Sequence, residues 1–186
     1  MVGIRLNRFS FFLILAFIIN LIQAYFTPLI QDEAYYFMFS KHLDWGFFDS
    51  PPMVALIIKM SSLLFSDELG VRFITTCLNV LNIYLIWTII PESNKNKKFS
   101  VELFFLILFA LPLFNVYSFI TTPDVPLLLF CTIFLVLIVK LIHKPNYLLT
   151  IALGFIASLI ILALGVFLDK NYAINFHKIE IHNINN

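Results

Sequence analysis

At 186 residues, 61% hydrophobic and only 12% charged, with a mean hydropathy of +0.94, this chain is too apolar for an ordinary soluble domain. Such domains are roughly 45–50% apolar and about 25% charged. The length allows several membrane spans but no large soluble domain, and a net charge of +1 without any basic, aromatic-interleaved stretch gives no sign of a nucleic-acid partner.

A span needs roughly 20 apolar residues. In chain order, residues 9–30 meet that length, interrupted by Asn20 and Gln23. The segment 31–52, QDEAYYFMFSKHLDWGFFDSPP, is different: four carboxylates (Asp32, Glu33, Asp44, Asp49) and seven aromatic rings stand between two greasy stretches. It reads as a short helix over about 32–44 at the membrane surface. Met53 to Phe65 is apolar but too short to cross and carries Lys59, so a second interfacial helix is expected over about 52–65. Further spans are expected over 69–90, 100–120, 126–142 and 147–168, and a polar, Asn-rich tail over 169–186. Cys77 and Cys131 fall inside apolar runs and read as small buried residues. The fold expected is all-α: a polytopic membrane protein of about five spans. A cleaved signal peptide at the N-terminus is disfavoured, because its apolar stretch is long and no small-x-small site follows Gln23.

Loop charges set the expected orientation. Arg5, Arg8, Lys95, Lys97, Lys98, Lys140 and Lys144, seven of the twelve Lys and Arg, fall on one side of a five-span arrangement, with His143 beside them. Asp32, Glu33, Asp44, Asp49, Asp67, Glu68 and Asp124, seven of the eleven acids, fall on the other. The positive-inside rule makes the first side cytoplasmic, N-terminus included, and the loop 31–68 external.

Three acidic places have both a structural and a functional reading. Asp32-Glu33 can simply complement a helix dipole, as Asp67-Glu68 after Ser66 does at the start of span two. In FFDSPP, Ser50 can cap a helix with Pro51 at its first position, which leaves Asp49 without a structural duty and free to bind a divalent cation or an acceptor hydroxyl. In TTPDVP, Thr122 can cap span four with Pro123 first and Asp124 in the first turn. All three acids face the external side, and ionisable groups at the boundary of a multi-span protein are functional candidates.

DEAYY, then WGFFDSPP, then TPDVPL together resemble the start of the polyprenyl-phosphate-sugar-dependent glycosyltransferases of the GT-C fold, such as the dolichyl-phosphate-mannose-protein mannosyltransferases and the aminoarabinose transferases of lipid A. The resemblance covers roughly residues 9–142. It implies a catalytic base at Asp32 with Glu33 supporting it, and donor or acceptor contacts at Asp49, Asp124 and Tyr36. It also implies membrane lipid and a polyprenyl-phosphate sugar as partners, in a bacterial inner or plasma membrane. A divalent metal at Asp49 is implied by some relatives, but many of those carry histidine where Ser50 stands here. Proteins of this type are longer, so the resemblance also implies a truncated chain, or one completed by a partner chain. Their later segments hold the lipid phosphate; here Lys41, Lys59 and Arg72 are the cations available on that side.

The chemistry agrees with the residues. A sugar on a polyprenyl phosphate needs no nucleotide-binding loop, and no Gly-rich phosphate motif occurs. One carboxylate must take the acceptor proton; partial burial and a like charge at Glu33 are the conditions expected to make Asp32 a better base. Two rival readings are a non-catalytic membrane subunit or remnant, and a small transporter, whose mid-membrane polar groups would be Asn79, Asn82 and Asn115.

Overall fold

A computed structural model describes residues 2–44, 47 and 50–164. The described residues form nine helices and no strand: α1 (Val2–Phe26), α2 (Gln31–Lys41), α3 (Pro52–Ser62), α4 (Asp67–Ile89), α5 (Glu92–Lys95), α6 (Ser100–Ala110), α7 (Pro112–Val116), α8 (Asp124–His143) and α9 (Tyr147–Leu164). The chain is an all-α polytopic membrane protein. Within lipid every backbone N–H and C=O must be satisfied inside its own segment, which helices do. Arg8–Phe26, Asp67–Ile89 and Asp124–His143 are long and apolar enough to cross a bilayer. The tail 169–186 lies outside the described residues.

Helix α4 is central, packing against α1, α3 and α8, while α9 packs on α8 and α2 on α3. The chain alternates between two ends. At one end Arg8 at the start of α1 reaches Glu102 in α6 at 3.4 Å, and Lys95 lies over the Trp87 ring near the end of α4. At the other, the end of α1, the start of α4 and the segment before α8 meet around Arg72. Aromatic packing fills the first end: Phe9 stacks on Trp87 at 4.9 Å and touches Phe105 at 5.7 Å. Near the other end Val54, Ile58 and Val71 are buried with Leu29, Tyr36 and Phe37 against them. Eleven-residue α3 is too short to cross.

The segment read as one span over 100–120 is divided. α6 ends at Ala110 and α7 begins at Pro112. Proline has no N–H to donate and its ring clashes with the preceding turn. Asn115 repairs the break, its Nδ2 donating to the carbonyls of Phe109 (2.7 Å) and Leu111 (3.0 Å). A second polar cluster lies beside it. Asn20 Nδ2 donates to Asn79 Oδ1 at 3.3 Å, and Ser118 Oγ donates to Asn20 Oδ1 at 2.9 Å, tying α1, α4 and the segment after α7 together. A broken helix with polar neighbours is what a transporter would show. Here the space at the break is about 10 Å³, room for about one water, so no substrate-sized cavity exists there.

The turn between α3 and α4 depends on a glycine. A Cβ at Gly70 would lie 2.3 Å from the Phe65 carbonyl oxygen, so only glycine lets the turn fold back this closely. Asp67, the first residue of α4, has φ 57°, in the left-handed region.

Candidate functional site

Helix α1 stops at Thr27-Pro28, because the residue before proline is driven out of helical conformation. Its last carbonyls then lack intrahelical partners. Arg72, one turn into α4 and fully buried, supplies them. Its Nη1 donates to Ala24 O (3.1 Å) and Thr27 O (2.5 Å), and Nη2 donates to Pro28 O (3.0 Å). The same guanidinium grips Glu33 in a two-pronged pair, Nε to Oε1 at 2.7 Å and Nη2 to Oε2. An arginine has five N–H donors, and all five are used.

Glu33 is equally complete. Besides Arg72, its Oε1 accepts the Thr121 N–H at 2.9 Å and its Oε2 accepts the Ile30 N–H at 3.3 Å, which caps the start of α2. Thr121 is tied in turn to α4, donating from Oγ1 to Val71 O at 3.1 Å and sharing a 2.7 Å hydrogen bond with Thr75 Oγ1. Glu33, Arg72, Thr75 and Thr121 are all fully buried. The node therefore pins the end of α1, the start of α2, α4 and the TTPD segment to one another.

This changes the reading of two residues. Glu33, grouped with Asp32 as catalytic, has its four lone-pair sites filled and none left for a substrate proton; it acts as a clamp. Arg72, considered for lipid phosphate, has no donor left in this arrangement. The conditions expected around Asp32 are also absent: it is exposed, and Glu33's charge is matched by Arg72. Asp32 and Glu33 are neighbours on a helix, about 100° apart, so one faces the node while the other faces out.

The remaining candidates divide as follows. Asp124 is exposed as the first residue of α8, three residues beyond the pinned Thr121. Tyr36 is half-buried against the Val54–Ile58–Val71 cluster. Asp49 lies outside the described residues. Phe47, two residues earlier in the chain, stacks on Phe39 of α2 at 4.2 Å. Among the described residues no three His, Cys, Asp or Glu are grouped to hold a metal ion, so the expected divalent site gains no ligand set from them.

Two expected caps differ. α3 begins at Pro52, inside the expected range, but Pro51 rather than Ser50 stands immediately before it, and Ser50 is buried upstream. α8 begins at Asp124 with Pro123 before it, and Thr122 makes no cap bond: its Oγ1 is buried without a hydrogen-bond partner. Among the described residues, cavities at this end include two of substantial size. One, about 550 Å³, is lined by Leu43, Asp44, Pro52, Met53, Leu56 and Leu162. The other, about 360 Å³, lies between Leu29, Phe37 and the α3–α4 turn at Asp67 and Glu68. Asp32 and Asp124 line neither.

The family model of the dolichyl-phosphate-mannose-protein mannosyltransferases matches residues 49–173. The chain belongs to that family. It is therefore an integral membrane protein of glycosyltransferase type. The family match takes in Asp49, Arg72, Thr121 and Asp124 and begins after Asp32 and Glu33. No curated protein and no solved structure matches the chain.

Arg72 and Thr121 are the residues that sequence reasoning undervalued. The signal for Arg72 was present: a lone arginine inside an apolar span needs a buried acid partner. Thr121 acts through its backbone N–H, which no side-chain pattern reports.

Proposed function

We propose that this protein is an inverting glycosyltransferase of the GT-C type that moves a sugar from a polyprenyl-phosphate donor to an acceptor hydroxyl on the external side of the membrane. The family match carries the reading. The clamp at Glu33 supports it, because a fully saturated buried node gives the exposed Asp32 a fixed backbone to stand on. Asp32 accepts the proton of the acceptor hydroxyl as that oxygen bonds to the anomeric carbon. The bond from that carbon to the phosphate oxygen breaks, and its electron pair leaves with the polyprenyl phosphate. Asp49 and Asp124 orient the acceptor or donor. The apolar 550 Å³ cavity suits part of a prenyl chain. The acidic end is external and the basic end cytoplasmic, as the loop charges argue.

The test is transfer of labelled sugar in native membranes, where any further chain it works with is present. Asp32→Asn should lower turnover about 10²- to 10⁴-fold. Asp49→Asn and Asp124→Asn should lose less. Asp67→Asn is the control: asparagine tolerates the left-handed conformation at that position. Near-normal transfer by Asp32→Asn at equal expression removes the base assignment. A second reading, a membrane subunit without transfer of its own, is favoured by the absence of Asp32 and Asp124 from both cavities. Membranes in which no variant changes transfer would select it.

A further inference from the structure

At the end of the bundle opposite the Glu33–Arg72 node, α8 turns into α9 through Lys144-Pro145-Asn146. A cavity of about 400 Å³ opens there, lined from both helices by Val139, Lys140, His143, Lys144, Asn146 and Leu149. The bland account of these cations is the positive-inside rule together with the negative end of the α8 dipole. That account does not require a cavity, and it does not distinguish this cluster from the others at the same end. The others are partly neutralised: Arg8 pairs with Glu102, and Lys95 with Glu92 at 3.0 Å. Lys140 and Lys144 have no carboxylate partner among the described residues, as is true of Lys97 and Lys98, but unlike that pair they line a cavity.

We infer that this cavity is a binding site for the phosphate headgroup of an anionic membrane lipid. Lysines serve as point charges for phosphate. The His143 ring is held by Nδ1, 2.7 Å from the Val139 carbonyl. A carbonyl only accepts, so Nδ1 carries the proton and Nε2 is left for another partner. Asn146 caps α9, its Oδ1 accepting the Leu148 N–H at 3.1 Å, and the positive end of that eighteen-residue helix adds to the field. The surroundings favour a lipid over free phosphate. Ile142, Tyr147, Leu148 and Ile151, neighbours in the chain of the lining residues, are all more than half exposed, apolar surface at this end that acyl chains would cover and a soluble anion would not. Basic pockets between helix ends on the cytoplasmic side recognise lipid headgroups in this way.

The experiment measures retention of phosphatidylglycerol and of phosphatidylcholine by the full chain in detergent, by native mass spectrometry across a lipid titration. At about 1 kcal/mol per lysine near an anionic surface, Lys140→Gln should weaken phosphatidylglycerol binding about fivefold and Lys140→Gln/Lys144→Gln about thirtyfold. Phosphatidylcholine retention should not change. The Lys140→Arg/Lys144→Arg variant keeps the charge and should bind as the parent does, which separates lost binding from lost folding. Lys97→Gln/Lys98→Gln, at the same end but outside the cavity, should also leave binding unchanged. Equal losses from that pair, or unaltered binding by the Lys140→Gln/Lys144→Gln variant, would overturn the site. So would full displacement of phosphatidylglycerol by millimolar inorganic phosphate, which would make it a site for free anions.

Discussion

Removing Arg72 should cost more than removing the charge it faces. With Arg72→Met, Glu33 keeps only its two backbone donors, Ile30 N–H and Thr121 N–H, and loses its counter-ion in a fully buried place. The carbonyls of Ala24, Thr27 and Pro28 lose their donor at the same time. Breaking a buried pair from one side typically costs about 3–5 kcal/mol, and the orphaned carbonyls place Arg72→Met at or above the upper end. With Glu33→Gln the arginine keeps its three carbonyl acceptors, and the amide still offers one oxygen to a backbone donor, so the loss should be nearer the lower end. In Glu33→Gln/Arg72→Met no unpaired charge remains buried, so the double variant should be more stable than the sum of the two single losses implies, by about 1–3 kcal/mol of coupling. The assay is heat-induced loss of the monodisperse detergent-solubilised protein, read for the four-membered cycle, with sugar transfer measured on whatever folds. Additive losses, with coupling near zero, would refute the clamp. A Glu33→Gln protein that folds normally yet loses as much transfer as Asp32→Asn would refute the division of labour between clamp and base.

Other outcomes follow from neighbouring parts of the fold. Gly70→Ala should destabilise strongly, by an overpacking cost of about 1–3 kcal/mol or more, because its Cβ would meet the Phe65 carbonyl oxygen; Gly154→Ala, where a Cβ meets nothing within 4 Å, is the control under the same thermal assay. Asn20→Leu should cost about 1 kcal/mol or less, the size of intramembrane hydrogen bonds, and transfer per folded molecule should stay level if the Asn20–Asn79–Ser118 cluster only ties helices. Thr122→Val removes a buried hydroxyl that has no partner in the fold, so stability should hold or rise under the same thermal assay. An impermeant thiol reagent on intact cells should label a cysteine placed at exposed Lys41 and not one at exposed Ser93; the reverse pattern would invert the orientation.

Composition made the fold class legible, because hydrocarbon solvent leaves a greasy chain few options beyond helices. Length and the proline pair also located a short helix after Pro51, since an apolar run of thirteen residues cannot reach across. What could not be read locally was which of two adjacent carboxylates faces in. Asp32 and Glu33 are chemically almost alike, and both satisfy the rule that acids favour a helix start. Their division is made by Arg72, thirty-nine residues later in the chain, and by the Thr121 N–H, eighty-eight residues later. The caps failed for a related reason: Ser50 and Thr122 are both followed by proline, and the expectation that each would sit immediately before its helix weighed local propensity alone. Each cap position is taken by the proline instead, Pro51 before α3 and Pro123 before α8, with Ser50 buried and Thr122 left with an unspent hydroxyl. The same logic explains the division of the 100–120 segment. Pro112 alone predicts a kink, but only the fold shows Asn115 supplying donors to the Phe109 and Leu111 carbonyls just before it, which is what makes a broken helix tolerable inside a bilayer. Charge and apolarity are summed over long stretches and survive in the sequence, whereas a clamp of five donors and four acceptors is a property of three dimensions.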